Sequence, residues 1–139
     1  MSEAGDEAIA AQELRAMHDR GAARAAAASA ALDLVVLELQ SAGIPATRDP
    51  GDFQPPGAIV SAPTISGIAT MGSIGLEIPI YAVTDQPGAD GLDQILEWAC
   101  EILELFNETG AEPTSWISPL NPSGLPAYLV TLRWNVTTG

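Results

Sequence analysis

The chain has 139 residues, of which 47% are hydrophobic, enough for one domain around one core and too apolar for wholesale disorder. Eighteen acids face five arginines and no lysine, for a formal net charge of −13. Such a balance is expected to repel DNA and anionic membrane, although it suits a channel through which DNA slides without sticking. The single cysteine, Cys100, has no partner for an internal disulfide and points to a reducing compartment. No apolar run approaches the roughly 20 residues of a membrane span.

The start, "MSEAGDEAIAAQELR", is acidic and lacks the basic lead and apolar block of a secretory signal. The sequons at Asn107 and Asn135 are therefore read as chance matches. Residues 6–42 form an alanine-rich helical stretch with no proline before Pro45. Gly21 is expected to break or weaken it. Up to Arg20 its large apolar residues are few: Ile9, Leu14 and Met17, a thin stripe that calls for a partner. Further on, Leu32, Val35, Val36 and Leu39 make a full helical face. Gly43 is placed to stop the helix, with Pro45 following.

"IPATRDPGDFQPPG" is turn chemistry, with room for one short strand between Ile44 and Arg48. "GAIVSAP", residues 57–63, is a short β run. "TISGIATMGSIGLEIPIYAVT" reads as a hairpin turning near Met71 to Gly75. Its second arm sends Leu76, Ile78, Ile80 and Ala82 one way, and Glu77, Tyr81 and Val83 the other. Pro79 has no amide hydrogen to donate, which predicts an edge or a bulge there.

Asp90 is the expected N-cap of a second helix, Leu92 to about Phe106, with Asp93 in its first turn. Leu92, Ile95, Leu96, Ala99, Ile102, Leu103 and Phe106 are its expected buried face. A short strand from Pro113 to Ser118, a bend "PLNPSGLP" and a last strand "AYLVTLRWNV" complete the chain. In that strand Tyr128, Val130, Leu132, Trp134 and Val136 share a face opposite Ala127, Thr131, Arg133 and Asn135. The order predicts an α+β fold: an antiparallel sheet of about four to five strands against two main helices. Residues 1–24 form an N-terminal helical extension and residues 25–139 a single domain.

No residue set makes a convincing catalytic centre. His18, the lone histidine, reads as an exposed helix residue beside Asp19. Cys100 has no basic neighbour within a turn and reads as a buried structural cysteine. Asp49, Asp52, Asp85, Asp90 and Asp93 lie in or beside turns and are of a type that hard cations accept, yet "DPGD" and "DQPGAD" lack the spacing of a calcium loop. Aspartate beside proline and glycine is also ordinary turn chemistry. "GSIG" and "GADG" lack the lysine of a phosphate loop.

The conspicuous feature is a row of acids, Asp93, Glu97, Glu101, Glu104 and Glu108, recurring every three or four residues. Like charges at this spacing cost a few tenths of a kcal/mol each, roughly, and Glu104 and Glu108 lie at the wrong end of the helix dipole. The row is either a solvated face, a surface for an arginine patch on a neighbour, or the wall of a DNA channel. Trp134 belongs to the buried strand face, Trp98 flanks the helix, and Trp116 is the better candidate for an interface anchor.

Three stretches in order, "SAGIPATRDPGDFQPPGAIVSAP", "GLEIPIYAVTDQPGADGLDQILEWACEIL" and "GLPAYLVTLRWNV", resemble the tail terminator proteins of long-tailed bacteriophages, especially those of actinobacterial hosts. The resemblance covers roughly residues 25–137 and rests on order, length and texture. It implies an α+β subunit of a hexameric ring. That ring would cap the tail tube, stop its polymerisation, and join it to the head–tail connector or stopper, with DNA crossing it unbound. It implies a virion protein assembled in the host cytoplasm, with no catalysis and no obligatory cofactor; no metal site is expected from the aspartate spacing. The candidate interface or lumen residues are then Asp93, Glu97, Glu101, Glu104, Glu108, Met71 and Trp116. Alternatives are another connector, stopper or minor tail protein, or, from a different class, a small acidic metal- or ligand-binding domain. A hydrolase working through paired aspartates is disfavoured by the lack of a base–nucleophile pair.

Overall fold

The computed structural model describes residues 3–66 and 73–137, with side chains described for residues 10–66 and 73–136. The chain begins with α1, Glu3–Ser41. Alanine dominates it, and Gly21 neither breaks nor bends the assignment: helix runs through it without interruption, contrary to the sequence expectation. A helical glycine costs about 1 kcal/mol relative to alanine, which the flanking alanines offset. Gly43, at φ +86°, ends the helix as anticipated, and the Ile44 amide donates back to the Leu39 carbonyl at 3.0 Å.

Six strands follow in one sheet: β1 Ala46–Thr47, β2 Gly57–Val60, β3 Thr64–Ser66, β4 Ser73–Val83, β5 Glu112–Ser118 and β6 Asn121–Thr137. Between β4 and β5 lies the second helix, α2, Gly88–Phe106. The fold is α+β, with sheet order β1-β2-β4-β6-β5 and β3 also on β4. Among the described residues only β1–β2 is parallel. The frame is the β4–β6 pair, in register from Ser73↔Thr137 to Val83↔Ala127.

The expected β4 alternation is observed. Ile74, Leu76, Ile78, Ile80 and Ala82 are buried, and with Val130 and Leu132 of β6 they meet both helices on one face of the sheet. α1 contributes Ala28, Ala31, Leu32, Val35 and Leu39, and α2 contributes Ile95 and Ile102. Complete burial of an aliphatic side chain such as Val35 or Leu39 stabilises by about 2 kcal/mol. The other sheet face has a smaller cluster: Phe53, Ile59, Val83 and Ala127, packed by Tyr81, Trp116 and Leu125.

Several local expectations are corrected. Pro79 is neither at an edge nor in a bulge; it lies inside β4, opposite Thr131. β2 pairs with β4 up to Ile80 and β3 takes over at Glu77, so Pro79 stands at the seam between them. Its carbonyl accepts the Ser61 amide at 2.9 Å. A strand residue turns its amide and carbonyl to the same side, so the missing amide hydrogen faces the seam, where the pairing with β2 ends at Val60.

The 67–72 segment of the expected hairpin turn, Met71 included, lies outside the described residues, and Ser73, Ile74 and Gly75 already belong to β4. The bend "PLNPSGLP" is mostly strand: β5 and β6 are joined through Pro119 and Leu120 alone. α2 starts at Gly88, with Pro87 as an N-cap that makes no side-chain bond; Asp90 is in its first turn rather than at the cap.

The buried face also differs from the expected one. Gly91 is buried, and a Cβ on it would stand 2.1 Å from the Gln86 carbonyl oxygen. This close approach turns Gly91, Ile95, Ala99 and Ile102 inward, with Leu103, Phe106 and Trp98 partly buried beside them. Leu92 and Leu96, expected inside, are left 46% and 36% exposed. Cys100, expected to be buried, is exposed.

The two glycines predict opposite effects. Gly91→Ala must displace backbone and should lower unfolding stability by about 1–3 kcal/mol, measured by urea denaturation. Gly21 has nothing within 4 Å of the position its Cβ would take, and Gly21→Ala should raise helicity by circular dichroism without lowering the urea midpoint.

Candidate assembly surfaces

The acid row occupies the outward side of α2. Asp93, Glu97 and Glu104 are exposed and Glu101 is half-buried. At 100° per residue they fall opposite Gly91, Ile95, Ala99 and Ile102, so folding the apolar face inward necessarily presents the carboxylates outward. Exposed Leu92, Leu96 and Cys100 run beside them at four-residue spacing. The helix has no basic residue of its own. Among the described residues one ion pair exists, and it lies elsewhere: Arg48 Nε to Asp33 Oδ1 at 2.8 Å. Arg48 also donates to Ser29 Oγ at 2.9 Å, tying the turn after β1 to α1.

Glu108 departs from the row. α2 ends at Phe106, Asn107 takes the left-handed conformation, and Glu108 lies beyond it. Its Oε1 accepts the backbone amide of Arg133 at 3.0 Å. β5 pairs with β6 from Asn121 only as far as Leu129, so the outer side of β6 has no strand from Thr131 onward among the described residues. Thr131 and Arg133 turn their backbone groups to that side, in alternation with the residues that bond to β4. The Glu108 carboxylate therefore covers one donor of an otherwise open sheet edge. A recess of about 390 Å³ lies there, lined by Glu77, Glu108, Glu112, Leu129, Thr131 and Arg133 among others.

Trp116 is half-buried and packs edge-on against Phe53, with ring centroids 4.9 Å apart and planes at 80°, a favoured aromatic geometry. It holds the 49–56 turn against the β5–β6 hairpin. Beside it is a mainly apolar recess of about 380 Å³ that includes Phe53, Trp116, Pro119 and Leu120. Leu120, at the hairpin tip, is 89% exposed, and Ile117 is 66% exposed. Sequence reasoning missed both. The usable signal was a two-residue Pro-Leu link between two alternating stretches, which reads as a hairpin tip.

The remaining candidates fall into place singly. His18 is exposed on α1. Asp49 does turn chemistry: its Oδ1 accepts the Gly51 amide at 2.9 Å, and its carbonyl accepts the Asp52 amide at 3.1 Å. Among the described residues, no three His, Cys, Asp or Glu side chains are grouped to share a metal ion. No helix among them is long and apolar enough to cross a membrane.

α1 adds a surface of a different kind. From Gln12 to Ala23 every residue is exposed, and burial begins only at Ala28. The first part of the helix therefore projects from the body. Comparison with protein-family models, curated proteins and solved structures finds no match.

Glu108→Ala should accelerate hydrogen exchange at the Arg133 amide and cost about 1 kcal/mol of stability. Glu104→Ala, on the same row but with no hydrogen bond or ion pair to its carboxylate among the described residues, should change stability by less than about 0.5 kcal/mol. Amide exchange read by NMR on both variants distinguishes the structural acid from the solvated one.

Proposed function

We propose that this chain is a structural subunit of a phage virion: a tail terminator that forms a ring, a hexamer by its family resemblance, at the head-proximal end of the tail tube. One observation carries the reading best. The body has one well-buried core but leaves several separate surfaces unfinished: a projecting helix, an open β6 edge, and apolar side chains at the hairpin tip and along α2. A subunit with two neighbours in a ring, a tube below and a connector above needs several such surfaces at once. Open strand edges and exposed hairpin tips are natural elements for contacts between subunits.

In this role the chain stops tube polymerisation by occupying the last tube ring, and it mates on its other face with the connector or stopper. Its chemistry is geometric rather than catalytic. The excess of acids lets DNA pass the ring without being held, because no basic track meets the phosphates. The resemblance of residues 25–137 to tail terminators supplies the assignment to this ring rather than to another.

Mass measurement in solution with negative-stain imaging tests the proposal, repeated with purified tail tube subunit. Rings with a central hole that cap tubes and limit their length are expected. A chain that neither forms rings nor caps tubes would overturn it.

A further inference from the structure

The α1 arm and the outer face of α2 are complementary in both apolar pattern and charge. Leu14, Met17 and Gly21 follow one another at three- and four-residue spacing, and the same line continues through Ala28, Leu32, Val35 and Leu39. In the second half of α1 that line is the buried seam against the sheet. In the first half, among the described residues, nothing covers it: Leu14 is 66% exposed and Met17 58% exposed. A seam at heptad-like spacing with no partner is half of a helix–helix contact.

Charge identifies the other half. Arg15, Arg20 and Arg24, three of the five arginines, lie within ten residues of this arm and share them with one acid, Asp19. The acids Glu3, Asp6, Glu7 and Glu13 precede that segment. Residues 25–139 hold 13 acids against Arg48 and Arg133, and Arg48 is already paired with Asp33. The longest uncompensated run of that acid is Asp93, Glu97, Glu101 and Glu104, beside exposed Leu92 and Leu96. Arg20 and Arg24, one turn apart, flank the apolar line on the same side.

We infer that the α1 arm of one copy docks along the outer face of α2 of a neighbouring copy. Leu14 and Met17 then cover Leu92 and Leu96, and Arg20 and Arg24 meet the acid row. The contact joins two different surfaces, so it is heterologous and propagates head to tail until it closes. It deepens the ring reading and rests on its self-association, while naming the acid row as an interface rather than a channel wall.

Two chains with reversed charge test this. Arg20→Glu with Arg24→Glu, and separately Glu97→Arg with Glu104→Arg, should each weaken self-association at least tenfold by sedimentation velocity, with circular dichroism unchanged. The chain carrying all four changes should recover to within about threefold of the native chain, because arm and face are again opposite in sign. In parallel, a Met17→Cys, Cys100→Ser chain is mixed with the native chain and mildly oxidised. A disulfide between Cys100 of the native chain and the introduced thiol, identified by peptide mass, can form only between two copies.

Failure of the four-change chain to recover, absence of that disulfide, or a monomer at every soluble concentration overturns the inference. Rings that persist with the arm reversed would overturn it while leaving the ring reading intact. An arm-dependent oligomer that fails to cap tubes would support it while overturning the tail role.

Discussion

The structure depends on one-sided burial of the β4–β6 pair. Eleven residues of β4 are in continuous register with β6, and strict alternation puts Ile74, Leu76, Ile78, Ile80 and Ala82 on one face. Two helices are available to cover that face, and both are used on it. Among the described residues the opposite face receives only the 49–56 turn, clamped by Phe53 and Trp116. A sheet with one helical layer in a chain this short leaves edges and faces open, and the open β6 edge follows directly from this shortage of cover.

The same constraint determines where charge lies. α2 has an apolar arc wider than the strip of sheet it meets. Close approach at Gly91 selects one part of the arc, so Leu92 and Leu96 end up beside the carboxylates instead of beneath the helix. The acids are then displayed next to apolar surface, a combination suited to a partner rather than to water alone. The arm of α1 shows the converse combination, an apolar seam flanked by guanidinium groups. Helices without tertiary cover are only marginally stable in water, so the long exposed half of α1 is itself a reason to look for a docking partner.

Much of the architecture was legible because it rests on periodicity. The β4 and β6 alternations, the Leu32–Val35–Leu39 face and the Gly43 stop all encode burial or backbone geometry locally. The outward acid row was legible for the same reason. Where reading failed, the deciding partner was distant in sequence. Pro79 looked unfit for an interior strand until β2 and β3 were seen to share one side of β4 around it. Cys100 looked buried because its chain neighbours are apolar, yet the helix rotation places it outside. Glu108 looked like one more member of the acid row, and its bond to the Arg133 amide depends on where β5 stops pairing.

By itself, then, the amino-acid order determined the α+β class, the identity of the main helices and strands, the apolar face of most of them, and an acidic chain whose few cations cluster near its start. These are properties of local period, turn chemistry and composition. Only the tertiary structure decided the rotation of α2, the seam that accommodates Pro79, the open edge of β6 and the point at which α1 leaves the body. Each of these depends on how closely two remote segments approach, and that distance is set by packing rather than by the spacing of residues along the chain.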